Sequence, residues 1–334
     1  MRVLIAPDKF RGTATAIEVA AAIAEGVRAV SPPASLRQVP LSDGGEGFVE
    51  VMGGANRCTQ VEGPLGQVVD ARWRLKSRTA VIEMAQASGL ALVGGPDAND
   101  PLEASTRGTG QLIAEALDSG ARRIIVGHGG SASTDGGLPA VKALFPTARL
   151  RGVELVAAVD VGCMFVDAAA EFGPQKGATP NQVSLLTRRL ERVAQIYLED
   201  FGVDVTAIEG AGAAGGLAGG LAAVGATVTS GFEVIAEELD LAEMVERSDL
   251  VITGEGFLDE TSFDGKVVGG VVELAAEFDV EVLAIAGEVF DGVDGRVQTV
   301  SLVERFGRER SMTHTTDAIS KAAQQAVESW LTSN

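Results

Sequence analysis

Three stretches near the start of the chain decide the fold: RVLIAP at residues 2–7, TAIEVAAAIAEGVRAV at 15–30 and SLRQVPL at 35–41. The first and third are short apolar runs of the kind found in buried strands. Thr15 and Glu18 in the middle stretch have the spacing of a helix-capping box. The apolar residues predicted to line one face of this helix are Ile17, Ala20, Ile23, Ala24 and Val27. The sequence therefore predicts a β-α-β unit with parallel strands and a right-handed crossover.

The last third of the chain returns to the same alternation of strands and helices. Its predicted strands are DLVITGEG at 249–256, EVLAIAG at 281–287 and QTVSLVE at 298–304. The stretches GKVVGGVVELAAEFD at 265–279 and TTDAISKAAQQAVESWL at 315–331 have helical periodicity. Together with the opening unit, these segments supply about five parallel strands. The two ends of the chain thus predict one doubly wound α/β domain that is split in sequence.

The middle of the chain has a different pattern. RCTQVEGP at 57–64, QVVDARWRLK at 67–76 and TAVIEMA at 79–85 alternate apolar and polar residues, which predicts antiparallel or mixed strands. We therefore predict a two-domain α/β protein with a parallel-sheet domain at 1–57 plus 232–334. The inserted mixed-sheet α/β domain is predicted at 58–231, with the active-site cleft between the two domains.

Composition and charge exclude several classes of function. Hydrophobic residues make up 46% of the 334-residue chain, which is enough for a substantial core. The net charge of −19 argues against nucleic acid or an anionic membrane as a partner. The opening apolar run is too short for a signal peptide, and no apolar run reaches the length of a membrane span. A cytoplasmic protein is therefore expected, and a homo-oligomer is left open.

Glycine-rich polar loops follow several predicted strands. They are APDKFRG at 6–12, SDGGEG at 42–47, GHGGSASTDGG at 127–137 and TGEGFLD at 253–259. Open α/β sheets bind ligands at the carboxyl ends of their strands. The charged residues in or beside these and similar loops are Asp8, Lys9, Arg11, Asp43, Glu46, Asp135, Asp160, Lys176, Glu255, Asp259 and Lys266. Each alone reads as a solvated turn residue, but together they suggest Mg²⁺ and phosphate chemistry.

Two further segments leave alternatives open. GAGAAGG at 210–216 fits the dinucleotide-binding pattern, with Glu233 at the expected distance. The same glycines could instead allow tight packing, or form a phosphate cradle from backbone N–H groups. Lys176 lies in a glycine-proline turn, where it is either an anion ligand or an ordinary surface lysine. His128 reads equally well as a packed loop residue and as a ligand contact.

Taken in order, nine motifs resemble those of the bacterial glycerate kinase family, type 1. The motifs are IAPDKFRGTATAIEVA, PLSDGGEG, GPLG, IEMAQASGL, STRGTGQLI, GGSASTDGG, FGPQKGA, GAGAAGG and VITGEGFLDETSFDGK. The resemblance spans nearly the whole chain and implies two α/β domains, one discontinuous and flavodoxin-like and the other inserted. It also implies ATP-dependent phosphorylation of D-glycerate with Mg²⁺, commonly to 2-phosphoglycerate.

The resemblance places the candidate residues in family motifs, and the division of roles among them is a hypothesis. The catalytic candidates are Lys9, Asp43, Asp160 and Lys176. The candidates for substrate binding are Asp8, Arg11, Glu46, Ser131, Thr134 and Gln175. The candidates for nucleotide binding are Gly210, Gly212, Gly215, Gly216, Glu255 and Lys266, and those for metal binding are Asp135 and Asp259.

The sequence also departs from the family pattern at two places. Thr134 stands where the family often has Asn, and residues 160–165 read DVGCMF where Asp-Val-x-Asn-Pro-Leu is common. The altered loop keeps a non-catalytic ligand-binding relative open as an alternative. A dinucleotide-dependent oxidoreductase that uses GAGAAGG is the second alternative.

Overall fold

A computed structural model describes residues 1–263, 265–293 and 295–333. Asp264, within the last quoted family motif, lies outside the described residues. The strands in chain order are β1 (Arg2–Ile5), β2 (Ser35–Gln38), β3 (Arg57–Glu62), β4 (Val68–Lys76), β5 (Thr79–Glu83), β6 (Arg123–Gly127), β7 (Glu154–Val159), β8 (Thr227–Ser230), β9 (Leu250–Leu258), β10 (Val282–Val289) and β11 (Gln298–Ser301).

The α-helices alternate with these strands. In chain order they are α1 (Ala16–Val30), α2 (Phe48–Val51), α3 (Ala85–Ser88), α4 (Arg107–Asp118), α5 (Leu138–Ala143), α6 (Ala168–Phe172), α7 (Pro180–Phe201), α8 (Ala213–Ala223), α9 (Gly231–Glu238), α10 (Leu241–Glu246), α11 (Val267–Glu277), α12 (Leu302–Phe306), α13 (Arg308–Thr313) and α14 (Thr315–Ser333). The chain divides into two compact units, which we call unit 1 (Met1–Asp43 with Phe232–Asn334) and unit 2 (Gly44–Gly231).

The two junctions between the units lie between residues 43 and 44 and between residues 231 and 232. The first is earlier than the predicted junction at 57/58, and the second is at the predicted position. Whether the units are independent domains, and whether a cleft between them forms the active site, stay predictions.

Unit 1 contains a parallel sheet with the strand order β2-β1-β9-β10-β11. Numbered within the unit, this is the 2-1-3-4-5 order of flavodoxin-like folds. On one face, apolar residues of β1, β9 and β10 pack against α1 and α14. On the other face, Ala284 and Ala286 pack with Val268 of α11. The predicted α/β fold with a discontinuous doubly wound sheet is therefore confirmed.

Helix α1 shows how the sequence builds this unit. Thr15 and Glu18 form the predicted capping box, with the Thr15 hydroxyl accepting from the Glu18 N–H. A Cβ added at Gly26 would lie 2.1 Å from the Ser320 carbonyl oxygen of α14, so this glycine permits close helix packing. The prediction that Ile17 lines the buried face was wrong. Its side chain is exposed, and Val19 occupies the buried stripe instead.

Unit 2 contains a mixed sheet with the order β3-β4-β5-β6-β7-β8. β3, β4 and β5 pair antiparallel, whereas β5 through β8 pair in parallel. This confirms the predicted mixed sheet. Strand β8 was not predicted, because its four residues TVTS carry little apolar pattern.

Three local predictions need correction. The segment TGEGFLD is not a loop, because β9 continues to Leu258 and pairs with β10 throughout. The dinucleotide-binding pattern needs a strand before GAGAAGG, but the segment there is a short 3₁₀ helix at Val205–Ala207. The last predicted strand, QTVSLVE, stops at Ser301, whose hydroxyl accepts from the Glu304 N–H and begins α12.

Candidate active site

The carboxyl edge of the unit 1 sheet brings together residues from three of its strands. The strand order reverses direction between β1 and β9, and open α/β sheets bind ligands at such a switch point. The Asp8 N–H donates to the Gly254 carbonyl of β9 at 2.8 Å, which holds the loop after β1 against β9. The Leu41 N–H donates to the Pro7 carbonyl, so the segment that leads to Asp43 lies beside the same loop.

Lys9 lies between two carboxylates at this switch point. Its Nζ is 3.4 Å from Asp8 Oδ1 and 3.3 Å from Asp43 Oδ1. The backbone N–H of Lys9 also donates to Asp8 Oδ1 at 2.7 Å. All three side chains are largely buried, with exposed fractions of 14%, 7% and 15% for Lys9, Asp8 and Asp43. One cation is therefore held by two anions in a region with limited access to water.

The buried carboxyl groups at this site have raised pKa values. Burial raises the pKa of Asp8 to about 7, and the nearby Asp43 charge acts in the same direction against the opposing effect of Lys9. Burial likewise raises the pKa of Glu255 to about 7, with smaller contributions from the charges of Asp8 and Asp43. One carboxyl oxygen of Glu255 is buried without a hydrogen-bond partner among the described residues. These properties indicate a site with an excess of negative charge.

Burial works against the charge on Lys9, but the two carboxylates outweigh it. Asp8 and Asp43 together hold the pKa of Lys9 above its usual value, so the ammonium group stays protonated. Two nearby carboxylates thus favour the charged form of this lysine more than burial opposes it.

Asp259 and Lys266 lie farther along the same unit, after β9. Asp259 Oδ1 accepts from the Thr261 hydroxyl at 2.7 Å and from the Ser262 N–H at 3.2 Å. Burial opposes the charge on Asp259, but these donors and Lys266 outweigh it and lower the pKa of the carboxyl group. Lys266 Nζ donates to the Thr261 hydroxyl at 2.9 Å. Arg11 is exposed in the loop after β1.

A second lysine–aspartate pair lies in unit 2. Lys176 ends a short 3₁₀ helix and is buried, with Nζ donating to the Ser133 carbonyl at 2.7 Å. Asp135 is also buried, and its two oxygens accept from the Thr106 N–H, the Thr106 hydroxyl and the Gly137 N–H. Lys176 is therefore not the surface lysine that its glycine-proline turn also allowed.

Burial has opposite effects on the two members of this pair. It lowers the pKa of Lys176 to about 8, although the Asp135 charge partly offsets this. It raises the pKa of Asp135, against the hydrogen bonds from Thr106 and Gly137. The Tyr197 hydroxyl donates to the Gly136 carbonyl at 2.8 Å, which fixes the same loop from α7.

The GAGAAGG segment packs against this loop. A Cβ at Gly215 would lie 2.1 Å from the Ser133 carbonyl oxygen, and Gly215 and Gly216 both have positive φ. The N–H groups of Gly210 and Gly212 donate to the carbonyls of Gly162 and Cys163, and the Gly216 N–H donates to the Gly212 carbonyl. These glycines therefore meet the requirements of tight packing, and their role in nucleotide binding stays a prediction.

Gly44 of SDGGEG is also required by close packing. A Cβ at Gly44 would lie 2.9 Å from the Ala158 carbonyl oxygen, and the Gly129 N–H donates to the Gly44 carbonyl. Glu46, which follows, is exposed. Asp43 is thus the last residue of unit 1, and the glycines after it carry the chain into unit 2.

Glu83, at the end of β5, is a buried carboxylate that sequence reasoning missed. Its Oε1 accepts from the Val49 N–H of α2 at 2.7 Å. Burial raises its pKa, against hydrogen bonds from Val49 and Gly47. Glu83 thus anchors the segment that follows SDGGEG. The available signal was an acid at the carboxyl end of a predicted strand.

The remaining predicted residues are dispersed through unit 2. Ser131 and Thr134 are buried, and Gln175 is exposed. Asp160 directly follows β7. The Thr134 hydroxyl and the neighbouring Ser133 hydroxyl are buried without partners among the described residues.

His128 is buried, with Nδ1 2.8 Å from the Val126 carbonyl oxygen. Burial lowers its pKa to about 4, so the imidazole is neutral at physiological pH.

The altered 160–165 loop supports the interior of unit 2. Phe165 is fully buried and packs edge-on against Tyr197, with ring centroids 6.2 Å apart. Cys163 is buried and free, and burial raises the pKa of its thiol to about 12. This loop therefore has a packing role even though its sequence departs from the family pattern.

Within residues 1–263, 265–293 and 295–333, no group of three or more His, Cys, Asp or Glu side chains is arranged to hold a metal ion. Over the same part of the chain, no helix is both long and apolar enough to cross a membrane.

A flavodoxin-like sheet with a lysine held between carboxylates at its switch point is typical of the α/β proteins that bind small molecules at this edge of the sheet. The chain belongs to the glycerate kinase family, whose model matches residues 3–146 and 145–331. This confirms the resemblance and the prediction that the protein is an enzyme of this family.

Individual relatives agree with this assignment. The chain is 40% identical to the glycerate 2-kinase of Escherichia coli K12, covering 88% of this chain and 87% of the relative. It is 39% identical to the glycerate kinase of Halalkalibacterium halodurans, with 87% of each chain covered. A crystal structure of a protein assigned as glycerate kinase 2 from Salmonella typhimurium LT2 superimposes with a TM-score of 0.82. It is 35% identical and covers 100% of this chain and 99% of its own.

Proposed function

We propose that this protein transfers the γ-phosphoryl group of ATP, bound as its Mg²⁺ complex, to the 2-hydroxyl of D-glycerate. Membership of the glycerate kinase family supports the phosphoryl acceptor. The name of the Escherichia coli relative, glycerate 2-kinase, supports 2-phosphoglycerate as the product. The geometry that carries the proposal is the placement of Lys9 between Asp8 and Asp43 at the switch point of unit 1.

Lys9 suits the electrostatic demands of phosphoryl transfer. The transition state spreads negative charge over the oxygens of the transferred group, so catalysis depends on positioning and charge neutralisation. The raised pKa of Lys9 keeps its ammonium group charged at any physiological pH. We propose that this charge stabilises the transferred phosphoryl group.

Asp43 suits the other half of the reaction. It shares Lys9 with Asp8, whose pKa is about 7, and it is the more exposed of the two carboxylates. A carboxylate beside a hydroxyl group can orient it and accept its proton. We propose that Asp43 contacts the glycerate hydroxyl, while Asp8 holds Lys9 in place and shares its charge.

The residues of unit 1 also fit an ATP–Mg²⁺ complex. Mg²⁺ is usually held by one or two carboxylates together with substrate phosphates, so a site of three protein ligands is not required. Asp8, Asp43 and Glu255 supply more negative charge than Lys9 neutralises, and a buried oxygen of Glu255 has no partner among the described residues. Glu255 would hold the cation, with Asp8 and Asp43 supplying further negative charge around it, and the cation would neutralise phosphate oxygens when it is bound.

For the other candidate residues we propose the ligand that each contacts but no chemical step. Glu255 and Lys266 are assigned to the nucleotide, and Arg11, Glu46, Ser131, Thr134 and Gln175 to the glycerate. Asp135 and Asp259 remain metal candidates, although both already accept hydrogen bonds from neighbouring groups. Asp160 and Lys176 remain catalytic candidates.

The oxidoreductase alternative has little support from the geometry. A dinucleotide-binding turn follows a strand and offers free N–H groups to a pyrophosphate. Here the preceding segment is a 3₁₀ helix, and the N–H groups of Gly210, Gly212 and Gly216 already donate to protein carbonyls. We therefore retain the kinase as the proposed function.

The test is the release of ADP with D-glycerate, ATP and Mg²⁺, followed by ³¹P NMR of the product. We expect sustained turnover and a 2-phosphoglycerate signal. Lys9→Met should lower kcat by about 10²–10³-fold, whereas Lys142→Met, at an exposed lysine of α5, should leave it unchanged. Absence of ADP release from the wild-type protein would reject the proposal, and a 3-phosphoglycerate signal would reject its regiochemistry alone.

A further inference from the structure

Strands β9 and β10 continue beyond their neighbours at the carboxyl edge of the unit 1 sheet. The pairing of β1 with β9 ends at Ile5 and Ile252, and that of β11 with β10 ends at Ser301 and Ala286. The pairing of β9 with β10 continues through Phe257–Glu288 to Leu258–Val289. A two-stranded ribbon therefore extends on the side of the sheet where α/β proteins bind ligands.

Two phenylalanines form an exposed aromatic surface on this ribbon. Phe257 is 48% exposed and Phe290 is 49% exposed. Their ring centroids are 6.2 Å apart, with an interplanar angle of 31°. This spacing is typical of rings in direct contact, so the pair offers an outer face rather than a gap between rings.

The aromatic pair is continuous with the switch-point site. Phe257 is two residues beyond Glu255 on β9, about 7 Å farther along the strand. The Phe290 N–H donates to the Leu258 carbonyl, which keeps Phe290 in line with β10. A ligand whose phosphates contact the switch point can therefore extend along β9 onto the two rings.

Cationic side chains accompany the rings in this otherwise acidic chain. An added Cβ at Gly256 would lie 3.3 Å from the backbone nitrogen of Arg11, so the loop that carries Arg11 packs beside Phe257. Arg308 forms an ion pair with Glu288, the residue that pairs with Phe257 across the ribbon. Aromatic faces with nearby cations are suited to a ligand that combines a flat ring with negative charge.

We infer that the outer face of Phe257 and Phe290 is the stacking site for the purine base of the nucleotide. This inference rests on the proposed function, because it assigns the base of the ATP whose phosphates lie at the switch point. A second copy of the chain is a poorer occupant. The two half-exposed rings offer roughly 200 Å² in total, whereas a stable interface buries about 800 Å² per partner.

The test separates the base from the phosphates. Calorimetric titrations without D-glycerate would compare ATP–Mg²⁺ with tripolyphosphate–Mg²⁺, which carries the same phosphates and no base. Because a base–aromatic stack contributes about 1–3 kcal/mol, Phe257→Ala and Phe290→Ala should each weaken ATP binding by about 5- to 150-fold. Affinity for tripolyphosphate should stay unchanged, and Phe257→Trp should retain ATP affinity.

Phe145 provides a matched control in unit 2. It is 55% exposed and contacts Phe201 with ring centroids 6.4 Å apart, so Phe145→Ala removes a similar aromatic pair elsewhere. This variant should bind ATP like the wild type. Melting curves should show that each alanine variant is folded, as expected for exposed positions.

Several outcomes would overturn the inference. Unchanged ATP affinity in both Phe257→Ala and Phe290→Ala would do so, and a simultaneous fall in mass by light scattering would assign the rings to an interface between copies. An equal loss of ATP and tripolyphosphate affinity would also exclude base stacking. If the wild-type protein turns over ATP and the variants bind ATP as tightly as it does, only the stacking inference is rejected. If the wild-type protein neither binds nor hydrolyses ATP, the proposed function is rejected as well.

Discussion

The two buried lysines of this protein, Lys9 and Lys176, have similar partners and different surroundings. Lys9 lies between two carboxylates that together exceed its charge, and its pKa is raised. Lys176 donates to a carbonyl and feels a single nearby carboxylate, and its pKa is lowered to about 8. In unit 1 the acids outweigh the effect of burial, whereas in unit 2 burial outweighs the acid.

The two aspartates that accompany these lysines differ in the same way. Both oxygens of Asp135 accept backbone N–H groups, from Gly137 and Thr106, so its hydrogen-bonding capacity is used within the fold. Asp8 accepts the Lys9 N–H, but its charge is opposed by burial and by Asp43. We therefore propose a structural role for the unit 2 pair, instead of the catalytic role considered for Lys176 and the metal-binding role considered for Asp135, and a role in the reaction for the unit 1 cluster.

The largest effect is expected from Asp43→Asn, which removes a charge from the unit 1 cluster and keeps the side-chain size. If Asp43 orients the glycerate hydroxyl and accepts its proton, kcat should fall by up to about 10⁴-fold, roughly 5 kcal/mol of barrier. The measurement is the rate of ADP release across a series of magnesium concentrations, with a melting curve recorded for the same variant.

The magnesium series distinguishes two roles for Asp43. If the carboxylate mainly holds the cation, high Mg²⁺ should restore much of the rate. If it acts on the hydroxyl, the rate should stay low at every concentration, which is the result we expect. Turnover close to wild type throughout would show that Asp43 is a turn residue and that the active site is misplaced.

The next effect is on stability, from Lys176→Met in unit 2. Removing the ammonium group leaves the Ser133 carbonyl without its donor and the buried Asp135 without its nearby positive charge, which should lower the free energy of unfolding by about 3–5 kcal/mol. Urea unfolding checks this, with Lys142→Met as the exposed control. Below its melting temperature, we expect the folded variant to keep kcat within about tenfold of wild type.

Loss of stability with turnover retained would support a structural role for Lys176. A stable Lys176→Met protein with turnover reduced as much as in Asp43→Asn would contradict it. Lys176 would then belong to the reacting groups, as the sequence-based assignment of a catalytic role has it.

How far the sequence predicts this protein depends on the kind of interaction. The β-α-β units were predictable because periodicity and capping, such as the Thr15–Glu18 box, are local properties of the chain. The burial of Lys176 was not, because it depends on the Ser133 carbonyl, which is 43 residues away in sequence. The exposure of Ile17 was also missed, because a helix pattern that is apolar nearly all round does not specify its buried stripe.

The candidate site shows the same limit. Asp8, Lys9 and Asp43 were identified from the loops in which they occur, but their sharing of one ammonium group required the structure. Glu83 was harder to identify, because its partner is the backbone N–H of Val49. Every residue except proline has such a group, so the sequence does not indicate which one a carboxylate contacts. Loop glycines such as Gly215 gave an ambiguous signal, because positive φ serves packing and ligand binding equally.

The smallest effect, and the one that depends on pH, is expected from Asp8→Asn. The pKa of Asp8 is about 7 in the folded protein and near 3.8 in the unfolded chain. Between these values the folded state holds a proton that the unfolded chain has released. The contribution of Asp8 to stability is therefore complete below about pH 4 and is lost as the pH rises through about 7. Asn at this position keeps the acceptor for the Lys9 N–H and does not ionise.

Asp8→Asn should therefore be more stable than wild type at pH 8, by about 1–2 kcal/mol, and close to it at pH 4.5. The gain is smaller than the full pKa shift implies, because Lys9 loses one of its two partners.

Asp135→Asn should do the reverse and destabilise the protein by about 1–3 kcal/mol, since its amide must face a backbone N–H from Gly137 or Thr106. Urea unfolding at the two pH values measures both variants, with the exposed Asp97→Asn as the control. If Asp8→Asn destabilises at pH 8 as Asp135→Asn does, the unit 1 carboxylate is a structural group like its counterpart in unit 2. Stabilisation together with reduced turnover would instead show that the charge of Asp8 is kept for the reaction at the expense of the fold.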